Sequence, residues 1–243
     1  MLLTHDYYCP KIGMASEFRV VMPDGMLQNS EKPAGVLFLL PKEGESGSAM
    51  ISKTDLPSLC ASYRIAAVVP PCLEGCYTDM VYGYPFYQSL KYIREYLRNF
   101  LPGIPLESGK CMIAGFGAGG FAALRWAMEE PDFFACTGSI RGILDPAMPA
   151  HGYFTERRLT DLFGSPEERR EMREEFLSSC RSSAVRNVYL ITENTDPGYE
   201  SSSAAGAAFG GRASLKILKA GTGSSEYKDP LDRLVRIWLG GER

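Results

Sequence analysis

Apolar and polar positions along the chain follow two periods. Short, mostly apolar runs of strand length occupy residues 18–22, 35–40, 65–69, 111–114, 134–139, 187–192 and 214–218. Apolar runs without alternation indicate strands that are buried on both faces, as in a parallel sheet covered by helices. Between them, apolar residues recur every three or four positions in residues 54–63, 86–101, 121–129 and 229–239, which is the period of an amphipathic helix. This order predicts a doubly wound, mostly parallel α/β sheet.

Two segments depart from this pattern. Residues 146–186 are polar and helical in character and lie between two predicted core strands, so we interpret them as a cap-like insertion over the carboxyl end of the sheet. Residues 201–211 are nearly all Ser, Ala and Gly, and both a small-residue helix and a loop remain open for them. Because no repeat or linker interrupts the chain, we expect residues 1–243 to form one domain.

The composition excludes several classes of protein. The chain has 243 residues, 45% of them apolar, and a formal net charge of −3 with both signs mixed along it. We therefore expect no binding to nucleic acid or to a membrane surface. The first residues have neither a basic start nor a long apolar core, and no apolar run approaches the ~18 residues of a membrane span. The sequence thus predicts a cytoplasmic protein without a signal peptide.

The seven cysteines favour buried, reduced thiols, because an odd number scattered through apolar stretches is typical of a cytoplasmic core. Cys72 and Cys76 have the spacing of a loose metal pair, but no second pair supports it. We expect neither a metal nor a cofactor.

A glycine-rich turn at residues 114–120, Ala-Gly-Phe-Gly-Ala-Gly-Gly, follows one predicted strand and opens a helix. It fits the nucleophile elbow G-x-S-x-G except at its centre, where Gly117 replaces serine. Gly115, Gly117 and Gly120 also match the dinucleotide pattern G-x-G-x-x-G. Nucleotide binding is the weaker alternative, because at least three predicted strands precede the turn and no carboxylate ends the next strand. In a purely structural interpretation, the glycines only let the helix pack on the sheet.

Further stretches carry a resemblance to a known family over nearly the whole chain. They are residues 7–23, with Ile-Gly-Met and a closing Met-Pro, residues 77–84, Tyr-Thr-Asp-Met-Val-Tyr-Gly-Tyr, and residues 131–135. With the glycine turn, these stretches resemble the esterase D-like esterases, a family that includes tributyrin esterases and S-formylglutathione hydrolases. The resemblance implies an α/β-hydrolase fold, with the polar helical insertion after its sixth strand region, and carboxylesterase activity through a Ser-His-acid triad.

The chain departs from that family at the chemistry. The nucleophilic serine falls on Gly117 and the histidine near Gly223, so that only the acid, at Asp196, is retained. The family's His-Gly pair beside the oxyanion hole reads Pro41-Lys42, and the oxyanion amides fall on Ala118 and Glu43. Glycine supplies neither an oxygen nucleophile nor a base, and loss of either reactive residue lowers turnover by about a million-fold in a serine protease.

The remaining candidates for the pocket are residues whose positions match the family's site or that lie near it. They are Pro41, Lys42, Tyr77, Asp79, Tyr82 and His151, the last within the insertion. The other histidine, His5, is predicted to be an exposed residue ahead of the first strand.

The sequence therefore favours a degenerate esterase that has kept a pocket and acts by binding a small molecule or a partner. The alternative is a carboxylic-ester hydrolase with an unorthodox nucleophile or base, such as a water held by Asp196. A homo-oligomer and pairing with an active paralogue both remain open.

Overall fold

A computed structural model describes residues 1–26, 31–101, 103–146, 154–218 and 226–240. The strands of the sheet are β1 (Leu2–Cys9), β2 (Met14–Val21), β3 (Val36–Leu40), β4 (Ala66–Val69), β5 (Cys111–Phe116), β6 (Phe134–Ile140), β7 (Val188–Glu193) and β8 (Ala213–Leu218). The helices are α1 (Gly47–Lys53), α2 (Leu56–Tyr63), α3 (Phe86–Phe100), α4 (Ala118–Glu129), α5 (Glu156–Phe163), α6 (Pro166–Ser182), α7 (Tyr199–Phe209) and α8 (Lys228–Trp238).

The strands form one sheet in the order β1-β2-β4-β3-β5-β6-β7-β8. β1 and β2 pair antiparallel, β2 joins β4 antiparallel, and the strands from β4 to β8 are parallel. Every residue of β3, β4 and β5 is buried, as their uninterrupted apolar runs predict. This confirms the mostly parallel sheet. It also brings the segments after β3, β5, β6 and β7 to one edge, because parallel strands end on the same side.

Helices cover both faces of the sheet and close two apolar cores. On one face α3, α4, α6 and α7 pack around the fully buried Trp126 and Phe38. On the other, α1, α2 and α8 contribute Met50, Leu56 and Leu234. In the described part of the chain, no helix has the length and apolar character needed to cross a membrane.

The amino-terminal hairpin differs from the prediction. The run at residues 18–22 belongs to the longer strand β2, which pairs along its length with β1, a strand that the apolar pattern did not predict. His5 lies inside β1 and not ahead of the first strand, and it is half-buried, with its ring 5.2 Å from the Phe18 ring. The expectation of an exposed His5 was wrong, because the ring packs against Phe18 and Tyr96.

The two unusual segments both contain helices. The predicted insertion holds α5 and α6, and Ser165 caps α6 through a reciprocal bond pair with Glu168. Phe176 of α6 packs on Phe121 of α4, so this helix adds to the core. The segment at residues 201–211, which the sequence left open, is most of α7 followed by a short 3₁₀ turn at Gly210–Arg212.

Candidate functional site

The glycine turn forms a sharp elbow between β5 and α4. Gly117 has φ 51° and ψ −122°, a conformation that L side chains rarely adopt and that glycine reaches without steric cost. A Cβ at Gly115 would lie 2.1 Å from the carbonyl oxygen of Gly119, and one at Gly119 would lie 2.4 Å from that of Leu40. These flanking glycines are therefore required for α4 to pack against the sheet. This is the packing role that the purely structural interpretation of the motif assigns to the glycines.

Glu43 fills the space above Gly117. It follows β3, and its carboxylate Oε2 accepts a hydrogen bond of 2.9 Å from the backbone N–H of Ala118, the first residue of α4. The same oxygen lies 2.6 Å from the position that a Cβ on residue 117 would occupy. Only 6% of Glu43 is exposed. The amide predicted to serve the oxyanion hole thus binds a carboxylate of the chain itself.

Asp196 lies at the same edge, three residues after β7, and its carboxylate is bonded on both sides. Oδ2 accepts hydrogen bonds from the Glu193 N–H at 2.7 Å and the Thr192 hydroxyl at 3.1 Å. Oδ1 accepts two from the Arg141 guanidinium, from Nε at 2.8 Å and from Nη2 at 2.6 Å. The retained acid is therefore engaged with a cation in the structure.

Arg141 reaches Asp196 from the turn that follows β6. Its backbone φ is 50°, and its N–H donates to the Ile191 carbonyl oxygen at 2.7 Å, which ties the turn to β7. The guanidinium also pairs with Glu226 at 3.1 Å. Burial opposes the charged form of Arg141, but the hydrogen bonds and charge of Asp196 outweigh it and raise its pKa.

A charged cavity of about 220 Å³ opens between these loops. Its charged and aromatic lining residues are Lys42, Glu43, Phe116, Arg141, Asp196, Glu226 and Tyr227. The Tyr227 ring packs 5.0 Å from that of Phe116, and the Tyr227 hydroxyl donates to Glu45 at 2.8 Å. Burial by itself lowers the pKa of the Lys42 ammonium group. The interactions of Lys42 with Tyr227, Glu45 and Glu43 outweigh this effect and raise the pKa, so that Lys42 stays a cation.

A second, apolar cavity lies on the other side of the elbow. Most of its lining is apolar: Cys76, Ala118, Phe121, Ile143, Pro146, Phe154, Leu159 and Phe163, with Asp145 as the charged member. Ala118 borders it beside the elbow, and Ile143 lines both cavities. The helix α5 of the insertion supplies Leu159 and Phe163, so part of the insertion does stand over the elbow.

Of the other predicted site residues, two lie beside the elbow, two fall outside the described residues and three lie away from the site. Lys42 lines the charged cavity, and the carbonyl oxygen of Pro41 packs against the elbow, 2.7 Å from a Cβ built on Gly119. Gly223 and His151 lie outside the described residues.

The aromatic stretch after Cys76 is not at this site, contrary to the prediction. Tyr77 is buried and its hydroxyl faces the Pro70 carbonyl oxygen at 3.5 Å. Asp79 caps α3, accepting from the N–H groups of Tyr87 and Gln88, and the Tyr82 side chain is 65% exposed. The match of this stretch to the esterase family marks a structural cap of α3.

Three important residues were missed or given another role by the sequence. Arg141 and Glu226 were not predicted, and Glu43 was expected to contribute its backbone amide, whereas its side chain fills the site. No periodicity signals these contacts, since each residue lies in a loop. The one available signal was that charged residues follow β3 and β6 at the strand ends where ligands of α/β folds bind.

No protein-family model matches the sequence, and no curated protein sequence does. The structure is similar to FphF, a fluorophosphonate-binding serine hydrolase of Staphylococcus aureus, with a TM-score of 0.76, 15% identity and 98% of both chains covered. It is also similar to S-formylglutathione hydrolases, that of Agrobacterium tumefaciens at TM-score 0.80, 13% identity and 98% and 94% coverage, and FrmB of S. aureus at 0.74, 15% and 98% of both chains.

The sheet order and these neighbours define the class of the protein: it has the α/β-hydrolase fold. The neighbours are serine hydrolases and S-formylglutathione hydrolases, in agreement with the esterase D-like resemblance of the sequence. At 13–15% identity the likeness concerns the fold, so the activity has to be argued from the residues of this chain.

Proposed function

We propose that this chain is a non-hydrolytic member of the esterase-like α/β-hydrolases that binds a small molecule in the charged cavity over Gly117. The observation that carries the proposal is the position of the Glu43 carboxylate on the Ala118 amide. In serine-type acyl transfer, such an amide must be free to bind the oxyanion of the tetrahedral intermediate. A carboxylate on that amide repels an oxyanion, and Gly117 offers no nucleophile to form one.

The state of Asp196 argues against the alternative of an unorthodox hydrolase. A carboxylate that activates a water needs a free lone pair directed at that water. Both oxygens of Asp196 instead accept hydrogen bonds from the protein, and those of Oδ1 come from the Arg141 guanidinium. The nucleotide alternative is disfavoured as well, because Gly115 and Gly119 are required for packing and Glu43 places negative charge at the start of α4.

The test is an assay of the purified full chain with a chromogenic butyrate ester and with a fluorophosphonate probe that labels reactive serines. We expect neither turnover nor covalent labelling. Turnover near the ordinary enzyme median of ~10 per second, or labelling of the chain, would overturn the proposal. Turnover that disappears in Asp196→Asn and not in the exposed control Glu171→Gln would establish the alternative hydrolase.

A further inference from the structure

The charged groups of the cavity over Gly117 are unevenly paired. Among the described residues, Arg141 serves two of the three lining carboxylates, with ion pairs of 2.6 Å to Asp196 and 3.1 Å to Glu226. The ammonium group of Lys42 turns away to Glu45, at 3.6 Å, and lies over the Tyr227 ring. Neither of these two cations forms an ion pair with Glu43, although the charge of Glu43 contributes to the raised pKa of Lys42.

Glu43 is the carboxylate of this wall for which the described part of the chain provides no ion pair. Its one hydrogen bond there is the Ala118 amide on Oε2, although the residue is only 6% exposed. A buried carboxylate is costly unless it is paired, and one backbone amide satisfies only part of its hydrogen-bonding capacity. The cavity thus presents a deeply set negative charge whose natural complement is a cation.

Resting on the proposed function, we propose that the ligand of this cavity carries an ammonium group that pairs with Glu43. A primary ammonium fits because it brings three hydrogen-bond donors and no acceptor. It would also balance the described residues of the wall, among which three carboxylates face two cations. A carboxylate or phosphate ligand is disfavoured, because the amide at the start of α4 that would bind an anion already binds the Glu43 carboxylate.

The neighbouring apolar cavity indicates what the rest of the ligand is. Ile143 lines both cavities, and Ala118 donates its amide to Glu43 while it borders the apolar one. An apolar group attached to the ammonium would therefore point past Ile143 towards Phe121 and Leu159. The apolar cavity has a volume of about 30 Å³, so the ligand class is a small amine whose apolar part is short.

Calorimetric titrations of the full chain at constant ionic strength test this, with n-butylammonium and n-hexylammonium set against butyrate and hexanoate. We expect saturable one-to-one binding of the ammonium probes alone. Each methylene that is buried should tighten binding by up to about fourfold, so the ratio of the two ammonium dissociation constants measures how far the chain enters the apolar cavity. Glu43→Gln, which keeps the acceptor for Ala118 but removes the charge, should raise Kd by about tenfold or more, since hydrogen bonds to charged groups are the strong ones. The exposed control Glu171→Gln should leave Kd unchanged.

Binding of the carboxylates in preference to the ammonium probes, or equal ammonium affinity in Glu43→Gln, would overturn the inference. If Glu43→Gln fails to fold, the comparison of ammonium with carboxylate probes on the unmodified chain still decides. The inference and the proposed function fail in different assays. Absence of ammonium binding would refute the proposed ligand class, whereas fluorophosphonate labelling would refute the proposed non-hydrolytic function.

Discussion

At the scale of single residues, the site shows how a glycine at the elbow and a glutamate in the next loop depend on each other. Gly117 leaves the volume of a side chain empty above β5, and the Glu43 carboxylate occupies it. Any side chain at residue 117 meets Glu43 Oε2 at 2.6 Å and the Lys42 Cβ at 2.9 Å. The Glu43 carboxylate in its present position is therefore incompatible with a serine at residue 117.

This coupling predicts the effect of Gly117→Ser on stability. We expect a loss of about 1–3 kcal/mol in the free energy of unfolding from the backbone conformation alone, and a further loss from the contact with Glu43. In a Glu43→Gly background the cost of Gly117→Ser should be smaller, because the contact with the carboxylate is gone and only the backbone conformation and the contact with the Lys42 Cβ remain. Urea denaturation of the four chains measures the difference as a double-mutant cycle.

The control is Gly211→Ser, where nothing lies within 4 Å of an added Cβ, and it should leave stability nearly unchanged. An equal cost of Gly117→Ser with and without Glu43 would show that the carboxylate does not restrict the elbow.

The sequence predicted part of this site. Gly117 and Asp196 were located from the motif and the resemblance, and the structure places both on one cavity. The carboxylate of Glu43 and the guanidinium of Arg141 were not located, because a loop side chain can fold back or point to solvent. Only the three-dimensional neighbourhood decides between these orientations.

At the scale of elements, two helices on the more covered face are tied by a half-buried polar clamp. Glu130, which follows α4, accepts a hydrogen bond from the Trp126 Nε1–H at 2.9 Å and pairs with Arg94 of α3. Burial opposes ionisation of Glu130, but the bonds from Arg94 and Trp126 outweigh it and lower its pKa. The clamp joins α3 to the carboxyl end of α4.

A carboxylate with a lowered pKa stabilises the fold above its unfolded pKa and loses that contribution as the pH falls through the folded pKa. We therefore expect Glu130→Gln to destabilise the chain by about 1–2 kcal/mol at neutral pH, with a smaller difference from the wild type near pH 3. Urea midpoints at the two pH values measure this.

Glu129→Gln is the matched control, because the ion pairs of that neighbouring carboxylate with Lys91 and Arg125 are exposed to solvent. Such pairs contribute about 0–1 kcal/mol. If the difference in urea midpoint between the wild type and Glu130→Gln does not become smaller in acid, the role of the ionised Glu130 is contradicted.

In the described sheet, the apolar pattern predicted every strand except β1. The runs that became β3 to β6 are apolar on both faces, and the sequence shows it. β1 carries exposed and half-buried residues in alternation, including Thr4 and Asp6, so its membership of the sheet comes from pairing with β2. The predicted helix at residues 54–63 is shorter, because Asp55 has φ 49° and separates α1 from α2.

At the scale of the whole molecule, four loops that are distant in the chain converge on the carboxyl edge of the sheet. Glu43 follows β3, Gly117 follows β5, Arg141 follows β6 and Asp196 follows β7. The positions that the family resemblance assigns to the serine and the acid are each contacted by a charge from a neighbouring loop: Glu43 lies against the elbow, and Arg141 lies against Asp196. The fold has kept the edge on which an active site is built, with different contacts across it.

This arrangement determines what a restored esterase would require. Gly117→Ser with Gly223→His supplies the two missing reactive groups, with the placement of residue 223 taken from the resemblance. In that double variant the serine still meets Glu43, the Ala118 amide is still occupied, and the histidine has to compete with Arg141 for Asp196. We therefore expect no activity from the double variant.

Adding Glu43→Ala and Arg141→Ala should free the amide and the acid together, so that measurable hydrolysis of a butyrate ester and fluorophosphonate labelling appear only when all four changes are present. The triad members and the oxyanion amide act as a unit, so the gain should be strongly non-additive. Removing Arg141 leaves Asp196 buried without its cation, and breaking a buried pair costs about 3–5 kcal/mol. The melting temperature and circular dichroism of each variant must therefore accompany the rates.

Activity already present in the double variant would show that the substrate displaces Glu43 and Arg141 from their contacts. A folded quadruple variant without activity would show that the backbone of the site has itself diverged from a hydrolytic one.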